Sequence, residues 1–292
     1  MKHVPVMPDE VTELLEVREG GVYVDCTLGY GGHAARVMEK AGESGMLIGI
    51  EWDGDALSRA KEALAGYAGR ARFFQRSYTE LPGILDEAGT GPADGIMLDL
   101  GASSPQLTTP GRGFSFREEG PLDMRMDAGR ELTAGRVVNT FPAEELETIF
   151  REYGEERFAR RIASAIVARR RSCPIKTTVE LARLARSVSG RSPRGIHPAT
   201  RIFQALRIYV NTELENIKSI MDSFPAFLKP GGRITVISFH SLEDRIIKRS
   251  FKRLSDEGVL KPVTKAPVTA SGEEIRRNPN SRSAKLRAAE KT

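Results

Sequence analysis

At 292 residues the chain is longer than one average domain but too short for two large ones, so one core with a sizeable insertion, or two unequal domains, fits best. Hydrophobic residues make up 40% and charged residues 28%, which excludes wholesale disorder. No apolar run approaches the roughly 18 residues of a membrane span, and the first residues lack the apolar stretch of a secretory signal. Two cysteines, Cys26 and Cys173, are too few for a disulfide framework or a metal knuckle. We therefore expect a cytoplasmic protein that is not bound to a membrane.

The net charge of +5 is unevenly distributed along the chain. Residues 1–105 carry 9 basic and 17 acidic side chains, whereas residues 106–210 carry 19 basic and 12 acidic ones. The stretch from Arg157 to Arg207 contains 13 basic residues and a single acid, Glu180. Such asymmetry favours a polyanionic partner.

Apolar runs and helical patterns alternate over the first hundred residues, which is typical of a parallel α/β sheet. The predicted helices cover residues 34–40 and 55–64, and the predicted strands cover residues 22–25, 46–50, 72–75 and 95–99. The fourth strand is apolar on both faces, as a central parallel strand should be.

The pattern changes after Gly101. Residues 103–106 and 111–130 are rich in Gly, Pro and charge and predict ordered loops. Further along we predict helices, a turn, a strand and a stretch with little regular structure: helices over 143–153, 155–171, 178–188 and 198–224, the turn at 229–232, the strand at 233–238 and the irregular stretch at 258–282. The prediction is therefore a discontinuous core, residues 1–105 and 212–292, interrupted by a helical domain at 106–211.

A glycine-rich turn, residues 29–32 (GYGG), connects the first predicted strand to a helix. Such a turn lets the backbone approach a ligand closely, with the amides of the helix N-terminus aimed at it, although glycines also serve ordinary turns. Glu51 ends the next strand 22 positions after Gly29, near the spacing at which a carboxylate accepts the ribose hydroxyls of a nucleotide. Together they indicate a cofactor that contains adenosine.

Two classes of cofactor meet this description. A dinucleotide needs its pyrophosphate at the helix N-terminus, and Ala34 stands at the third glycine position, which the dinucleotide pattern permits. S-adenosylmethionine has no phosphate but needs loop amides for its carboxylate and an acid for its ammonium, which Asp25 would supply. Residues 228–234 (LKPGGRI) also resemble the turn before the fifth strand of Rossmann-like methyltransferases. The methyl donor is therefore favoured.

Asp99 ends the fourth predicted strand, at the edge where open α/β sheets bind ligands. The alternative is a structural aspartate that caps the following turn. Residues 100–106 (LGASSPQ) add two hydroxyls and an amide. In methyltransferases that act on exocyclic amines, the equivalent segment accepts hydrogen bonds from the amino group, which frees the nitrogen lone pair to attack a sulfonium methyl. Positioning and electrostatics would then carry most of the rate. Asp99 with Ser103 or Ser104 is the candidate catalytic set.

Taken together, these motifs resemble the RsmH (MraW) family, bacterial methyltransferases that modify N4 of a cytidine in the decoding region of 16S ribosomal RNA. Blocks in family order cover almost the whole chain: residues 3–6, 25–33, 99–107, 112–116, 120–126, 153–157, 197–201, 238–245 and 278–287. The resemblance implies an α/β fold, a Rossmann-like class I methyltransferase core with a mostly helical inserted domain. It also implies S-adenosyl-L-methionine as donor, S-adenosyl-L-homocysteine as product, no metal, and 16S rRNA or the small ribosomal subunit as partner.

The resemblance places seven residues around the donor: Gly31, Gly32, His33, Glu51, Tyr78, Asp99 and Gln106. Glu51 would take the ribose, and Tyr78 would lie by the adenine. Glu51 stands where similar proteins often carry aspartate, which keeps the charge but lengthens the reach.

His240 follows the last predicted core strand and is either a proton acceptor, since the ordinary pKa of histidine is about 6.5, or a structural residue. The arginines of the insertion form either a solvated face or a phosphate-binding surface, and their excess favours the latter. Aromatic residues are few there, which favours recognition of folded RNA by shape, with the target cytidine swung out. The basic tail, with Arg276, Arg277 and residues 282–287, would add RNA contacts or form a disordered end.

Two other functions remain open. An oxidoreductase that uses a nicotinamide dinucleotide could share the fold, but residues 103–106 (SSPQ) have no obvious role in hydride transfer, and a basic insertion does not suit a small substrate. An RNA-binding assembly factor without turnover is disfavoured by the intact glycine turn, Glu51 and Asp99. The sequence leaves open whether the protein is a monomer or a homodimer.

Overall fold

The computed structural model describes residues 4–102, 106–107, 109–190 and 197–292. Ser103 and Ser104, two candidate catalytic residues, lie outside the described residues. The chain divides into two compact units, one formed by Met1–Gly101 with Leu214–Thr292 and the other by Ala102–Glu213.

The helices of the described residues, in chain order, are α1 (Pro8–Leu14), α2 (Gly32–Lys40), α3 (Gly54–Ala63), α4 (Leu81–Ala88), α5 (Ala134–Thr140), α6 (Ala143–Glu152), α7 (Ala159–Ser172), α8 (Thr178–Ser189), α9 (Ala199–Asn211), α10 (Glu213–Ser223), α11 (Ser241–Asp256) and α12 (Gly272–Arg277). The strands are β1 (Val22–Asp25), β2 (Met46–Ile50), β3 (Ala71–Phe74), β4 (Ala93–Asp99), β5 (Leu228–Ser238), β6 (Leu260–Pro262) and β7 (Lys285–Lys291). None of the described helices is long and apolar enough to cross a membrane.

All seven strands belong to one sheet of the first unit, in the order β3-β2-β1-β4-β5-β7-β6. Strands β1 to β5 are parallel, and β7 runs antiparallel to its neighbours β5 and β6. The strand order reverses at β1 and β4, and ligands of open α/β sheets bind outside the carboxyl ends of the strands at such a point. This confirms the Rossmann-like α/β fold and puts the ends of β1 and β4 at the centre of the candidate site.

The core of the first unit follows from the apolar runs of its strands. Leu47, Ile48 and Ile50 of β2 are fully buried, as expected of a parallel strand covered on both faces. Helix α2 presents Ala34, Val37 and Met38 to the core cluster that includes Leu47.

The second unit packs α6 and α8 against α9, with α7 beside α6 and α8. Its core is formed by apolar residues at helical spacing, such as Leu146 and Phe150 on α6 and Ile162 and Ile166 on α7. Residues 111–130 form an ordered loop, as the sequence predicts. The buried Asn211 side chain fixes this loop, because its Oδ1 accepts from the Met126 N–H and its Nδ2 donates to the Met124 carbonyl, each at 2.8 Å.

The single helix predicted over 198–224 is wrong. Thr212 adopts a left-handed conformation, with φ of 52°, and separates α9 from α10. The apolar period continues across the break, so the pattern alone does not reveal it. Asn211, which bonds the distant loop described above, lies directly before the break.

The C-terminal region is more ordered than the sequence suggests. Residues 258–282 include β6 and α12, and β7 joins the sheet between β5 and β6. Arg287 on β7 is buried, and its Nε donates to Asp244 Oδ1 at 2.7 Å. The expected irregular stretch and the disordered tail are therefore wrong, and Arg287 serves the fold.

The predicted turn at 229–232 also differs, since β5 begins at Leu228 and includes it. The pairing of β4 with β5 shifts register between Ala93 and Gly95, which accommodates this irregular start.

Candidate active site

The glycine turn lies between β1 and α2, at the carboxyl edge of the sheet. Gly31 has a φ of +80°, and a Cβ there would lie 2.9 Å from Leu64 Cδ1. Any side chain at this position would therefore be strained in backbone conformation and would clash with the core. The turn is fixed by backbone bonds, including Gly31 N–H to the Leu28 carbonyl at 2.8 Å.

Glu51 follows β2 directly and is bonded to the glycine turn. Its Oε2 accepts from the Gly29 N–H at 2.8 Å, and its Oε1 accepts from the Asp53 N–H at 3.0 Å. The residue is only 8% exposed, and this burial raises the pKa of its carboxyl to about 7, despite the two backbone donors. Glu51 therefore shapes the turn, while each carboxylate oxygen keeps acceptor capacity for a further donor.

Asp25 and Asp99 meet His33 at the ends of β1 and β4. Asp99 Oδ2 lies 3.6 Å from His33 Nε2, an ion-pair distance that is too long for a hydrogen bond. Asp25 is 2% exposed, and burial raises its pKa to about 7, with the charge of His33 acting in the opposite direction. Burial acts to lower the pKa of His33, but the nearby carboxylates, Asp99 foremost, outweigh it and raise that pKa. The group is a buried cluster of mutually dependent charges.

Several polar atoms of this cluster have no hydrogen-bond partner among the described residues. They are both ring nitrogens of His33 and Asp99 Oδ1. Buried polar atoms are nearly always bonded, so the cluster calls for a polar ligand. S-adenosylmethionine carries an ammonium, a carboxylate and two ribose hydroxyls, and the set of donors and acceptors at Asp25, His33, Glu51 and Asp99 fits these groups.

The structure adds Trp52 to the candidate residues. The ring of Tyr78, which is 7% exposed, lies 6.2 Å from the ring of Trp52, centroid to centroid. Trp52 follows Glu51, the predicted ribose ligand, directly in the sequence. Tyr78 joins this position through its contact with the Trp52 ring. An aromatic residue after the acid at a strand end was the signal that sequence reasoning missed.

Asp99 is oriented by its own backbone, since its N–H donates to Thr27 Oγ1 at 2.6 Å. This bond joins the turn after β1 to the end of β4 and was not predicted. Gln106 is buried in the second unit, and its role in the donor pocket stays a prediction.

His240 is the N-cap of α11. Its Nδ1 accepts from the Glu243 N–H at 3.4 Å, while Glu243 Oε2 accepts from the His240 N–H at 3.2 Å, which forms a capping box. In a neutral ring with Nδ1 as acceptor, Nε2 carries the hydrogen, and it lies 3.1 Å from Glu243 Oε1. The Nδ1 atom is therefore part of the helix cap, whereas Nε2 is buried and forms no hydrogen bond among the described residues.

Comparison with known proteins gives concordant matches. The model of the MraW methylase family matches residues 1–292. A "Ribosomal RNA small subunit methyltransferase H" from Halothermothrix orenii is 45% identical over 308 aligned positions, covering 100% of this chain and 99% of that protein. Proteins of the same name from Desulfotalea psychrophila and a Cyanothece species are 48% and 49% identical. These two matches cover 99% of this chain in both cases, and 98% and 94% of those proteins respectively.

A family match over every residue, together with relatives nearly half identical from end to end, leaves one conclusion. The chain belongs to the MraW methylase family and is a methyltransferase that uses S-adenosylmethionine.

Proposed function

We propose that this enzyme transfers a methyl group from S-adenosyl-L-methionine to the exocyclic N4 amine of a cytidine in the decoding region of 16S ribosomal RNA. The observation that carries the proposal is the buried cluster of Asp25, His33 and Asp99 beside a glycine turn held by Glu51. The names of the relatives support small-subunit ribosomal RNA as the substrate.

Donor binding falls to the glycine turn and the cluster. Gly31, Gly32 and His33 contact the donor, Glu51 accepts from the ribose, and the pair of Trp52 and Tyr78 suits the adenine. Asp25 and Asp99 supply negative charge for the ammonium of the donor. Gln106 completes the pocket in this proposal.

For the chemical step, bound S-adenosylmethionine supplies an electrophilic methyl on a sulfonium. Asp99 Oδ1, with no partner among the described residues, accepts an N–H of the cytidine amine and orients it. The hydrogen bond holds the nitrogen lone pair toward the methyl, and Ser103 and Ser104 are proposed to share this task. His240 is the candidate acceptor for the proton that the amine would release once the methyl group is transferred. Positioning and electrostatics supply most of the rate in this proposal.

His240 is a weaker candidate for the proton acceptor than the sequence suggests. Its Nδ1 accepts from the Glu243 N–H in the capping box, so this nitrogen serves the start of α11. We keep the residue as a proposal that is tested by the His240→Ala variant under single-turnover conditions. Full activity of that variant would eliminate the catalytic role.

The second unit, Ala102–Glu213, is proposed to bind the RNA. Its arginines fall into two groups. Arg170 is half-buried and donates to the carbonyls of Val138 and Phe141, each at 2.6 Å, so it serves the fold. By contrast, four arginines are exposed and form no ion pair within the described residues: Arg160, Arg171, Arg183 and Arg186. Exposed, unpaired cations are suited to phosphate contacts.

The substrate would be 16S rRNA or the assembled small subunit, and the place of reaction the cytoplasm. Cys26 and Cys173 are both free thiols, as a reducing compartment favours. Whether the enzyme acts as a monomer or a homodimer is left to measurement.

The test is a methyl-transfer assay with radiolabelled S-adenosylmethionine and small subunits from a strain that lacks this enzyme. The expected product is labelled N4-methylcytidine after digestion of the RNA to nucleosides. RNA binding without label would instead indicate an assembly factor. Turnover of a nicotinamide cofactor would indicate an oxidoreductase. Free 16S rRNA in a parallel reaction decides between the two forms of the substrate.

A further inference from the structure

The two ends of the chain meet beside the glycine turn. Residues 4–7, named here the N-terminal strap, lead into α1, and α12 belongs to the last 21 residues of the sequence. The Met7 N–H donates to Glu274 Oε1 at 2.8 Å, across a separation of 267 residues. A second bond, from Asn278 Nδ2 to the Val4 carbonyl at 3.1 Å, fixes the start of the strap.

The strap lies directly on the turn. A Cβ built on Gly32 would lie 3.3 Å from three atoms of the Pro5 ring, so the ring packs against the glycine at close range. Val6 and Met7 are buried in the same core cluster as Ala34 and Val37 of α2. The strap therefore packs against one side of the turn, and its position affects the backbone at Gly32 and His33.

The backbone conformation of Met7 is unfavourable and must be stabilised by its surroundings. It has φ of 48° in the left-handed region and precedes α1 without a side-chain cap. A non-glycine residue in this region stores backbone strain, which the surrounding contacts must outweigh. The Glu274 carboxylate accepts the Met7 N–H at this point and so satisfies this donor. Glu274 itself is held by α12, where its own N–H donates to Ser271 Oγ at 3.1 Å.

We propose that Glu274 is a positioning residue for the methyl donor, which acts by holding the N-terminal strap against Gly32. This inference rests on the proposed donor site at the glycine turn. In this proposal Glu274 acts through the strap rather than by contact with the donor. The negative charge of Glu274 acts to raise the pKa of His33, together with the larger contributions of Asp99 on β4 and Asp25 on β1.

The contact can be tested with three variants of the full chain and a matched control. Glu274→Ala removes the acceptor, Glu274→Gln keeps an oxygen for the Met7 N–H, and Pro5→Gly removes the ring that packs on Gly32. Glu273→Ala is the control, because Glu273 is the exposed neighbour on the same helix and pairs only with Arg277 among the contacts described.

We expect Glu274→Ala to weaken S-adenosylmethionine binding about tenfold by calorimetry, since a hydrogen bond to a charged group is lost. Pro5→Gly should weaken it in the same direction, while Glu274→Gln and Glu273→Ala should stay within about threefold of wild type. The donor KM should rise with kcat nearly unchanged at saturating donor. Hydrogen exchange should become faster in residues 4–7 and 29–33 of Glu274→Ala, at a temperature where all variants are folded.

The proposal is overturned if Glu274→Ala binds the donor as Glu273→Ala does, or if Glu274→Gln is as weak as Glu274→Ala. A Glu51→Ala variant distinguishes this failure from that of the donor site. Weak binding by Glu51→Ala with normal binding by Glu274→Ala would reject the strap alone. Normal binding by both would reject the donor site and, with it, this role of Glu274.

Discussion

The two units of this enzyme place their charges in opposite ways. In the first unit, Asp25 and Glu51 are buried at the sheet edge, and burial raises both pKa values to about 7. In the second unit, the excess charge is positive and much of it is exposed, as at Arg160 and Arg183. Buried charge is costly and marks a site that binds something, whereas exposed charge costs little and acts over distance. The difference supports the proposal that the first unit binds a small polar ligand and the second unit binds a polyanion.

The largest effect should come from Asp99. Asp99→Asn keeps the shape of the side chain but loses the carboxylate that we propose orients the amine, so the single-turnover rate should fall about 100-fold or more. The measurement uses labelled S-adenosylmethionine at saturation with small subunits. Asp86→Asn on α4, which is exposed, is the control. An unchanged rate for Asp99→Asn would remove Asp99 from the mechanism.

Arg207 tests whether a half-buried arginine of the second unit serves the fold. Its Nε donates to Glu213 Oε1 and its Nη2 donates to Glu213 Oε2, each at 2.8 Å. Glu213 is 5% exposed. Arg207→Ala takes this guanidinium from a buried carboxylate and should lower the free energy of unfolding by about 3 kcal/mol in urea denaturation. The exposed Arg183→Ala should change it by less than about 0.5 kcal/mol. Equal effects of the two variants would contradict the division into structural and exposed arginines.

Glu51 tests the donor role of the first unit. Glu51→Ala should weaken S-adenosylmethionine binding by about 1–3 kcal/mol in calorimetry, because a charged acceptor is lost. RNA affinity should stay unchanged if the two units act separately. Glu62→Ala, on the exposed face of α3, is the matched control. Normal donor affinity in Glu51→Ala would reject the ribose assignment.

The raised pKa of Glu51 predicts a pH dependence of stability. The folded-state pKa of about 7 lies above the ordinary 4.5, so protonation favours the folded state. The contribution of Glu51 is complete below pH 4.5 and is lost as the pH rises to about 7. Relative to Glu51→Gln, the wild type should therefore lose about 1–2 kcal/mol of unfolding free energy between about pH 5 and pH 8. A constant difference between the two proteins in urea denaturation would contradict the buried charge.

The smallest effect should come from the exposed arginines. Removing two of them in Arg183→Ala/Arg186→Ala should weaken RNA binding about three- to tenfold. The slope of log affinity against log salt concentration should fall by about one per arginine removed. Donor affinity should not change. A control pair in the first unit, Arg36→Ala/Lys61→Ala, removes the same charge from exposed positions. An equal loss in both pairs would show that the whole surface, rather than the second unit, attracts RNA.

The parts that sequence predicted well are those governed by neighbours along the chain. Strands β1 and β2 match their predicted limits, because parallel strands buried on both faces are continuous apolar runs. Helices α6 and α8 follow from their apolar period in the same way. The glycine turn, Glu51 and Asp99 each mark the end of a strand, so their common edge follows from a parallel sheet.

The parts that sequence missed depend on distant contacts. The short helices α1, α4 and α5 were not predicted, and the break at Thr212 has no local signal. Strand β7 is stabilised by pairing with β5 and by the ion pair of Arg287 with Asp244. The composition of the tail, rich in Lys, Ser and Asn, predicts neither contact.

Sequence by itself therefore determined the class of fold, the edge at which the candidate site lies and the excess of positive charge on the second unit. Tertiary structure decided which groups come together. Asp99 lies beside His33, and His240 caps α11. Glu274 accepts a hydrogen bond from the Met7 N–H, 267 residues away in the sequence. The physical reason is the separation along the chain over which each kind of interaction acts. Periodicity and turn chemistry act over a few residues, whereas burial, pairing and the resulting pKa shifts are set only when remote segments exclude water together.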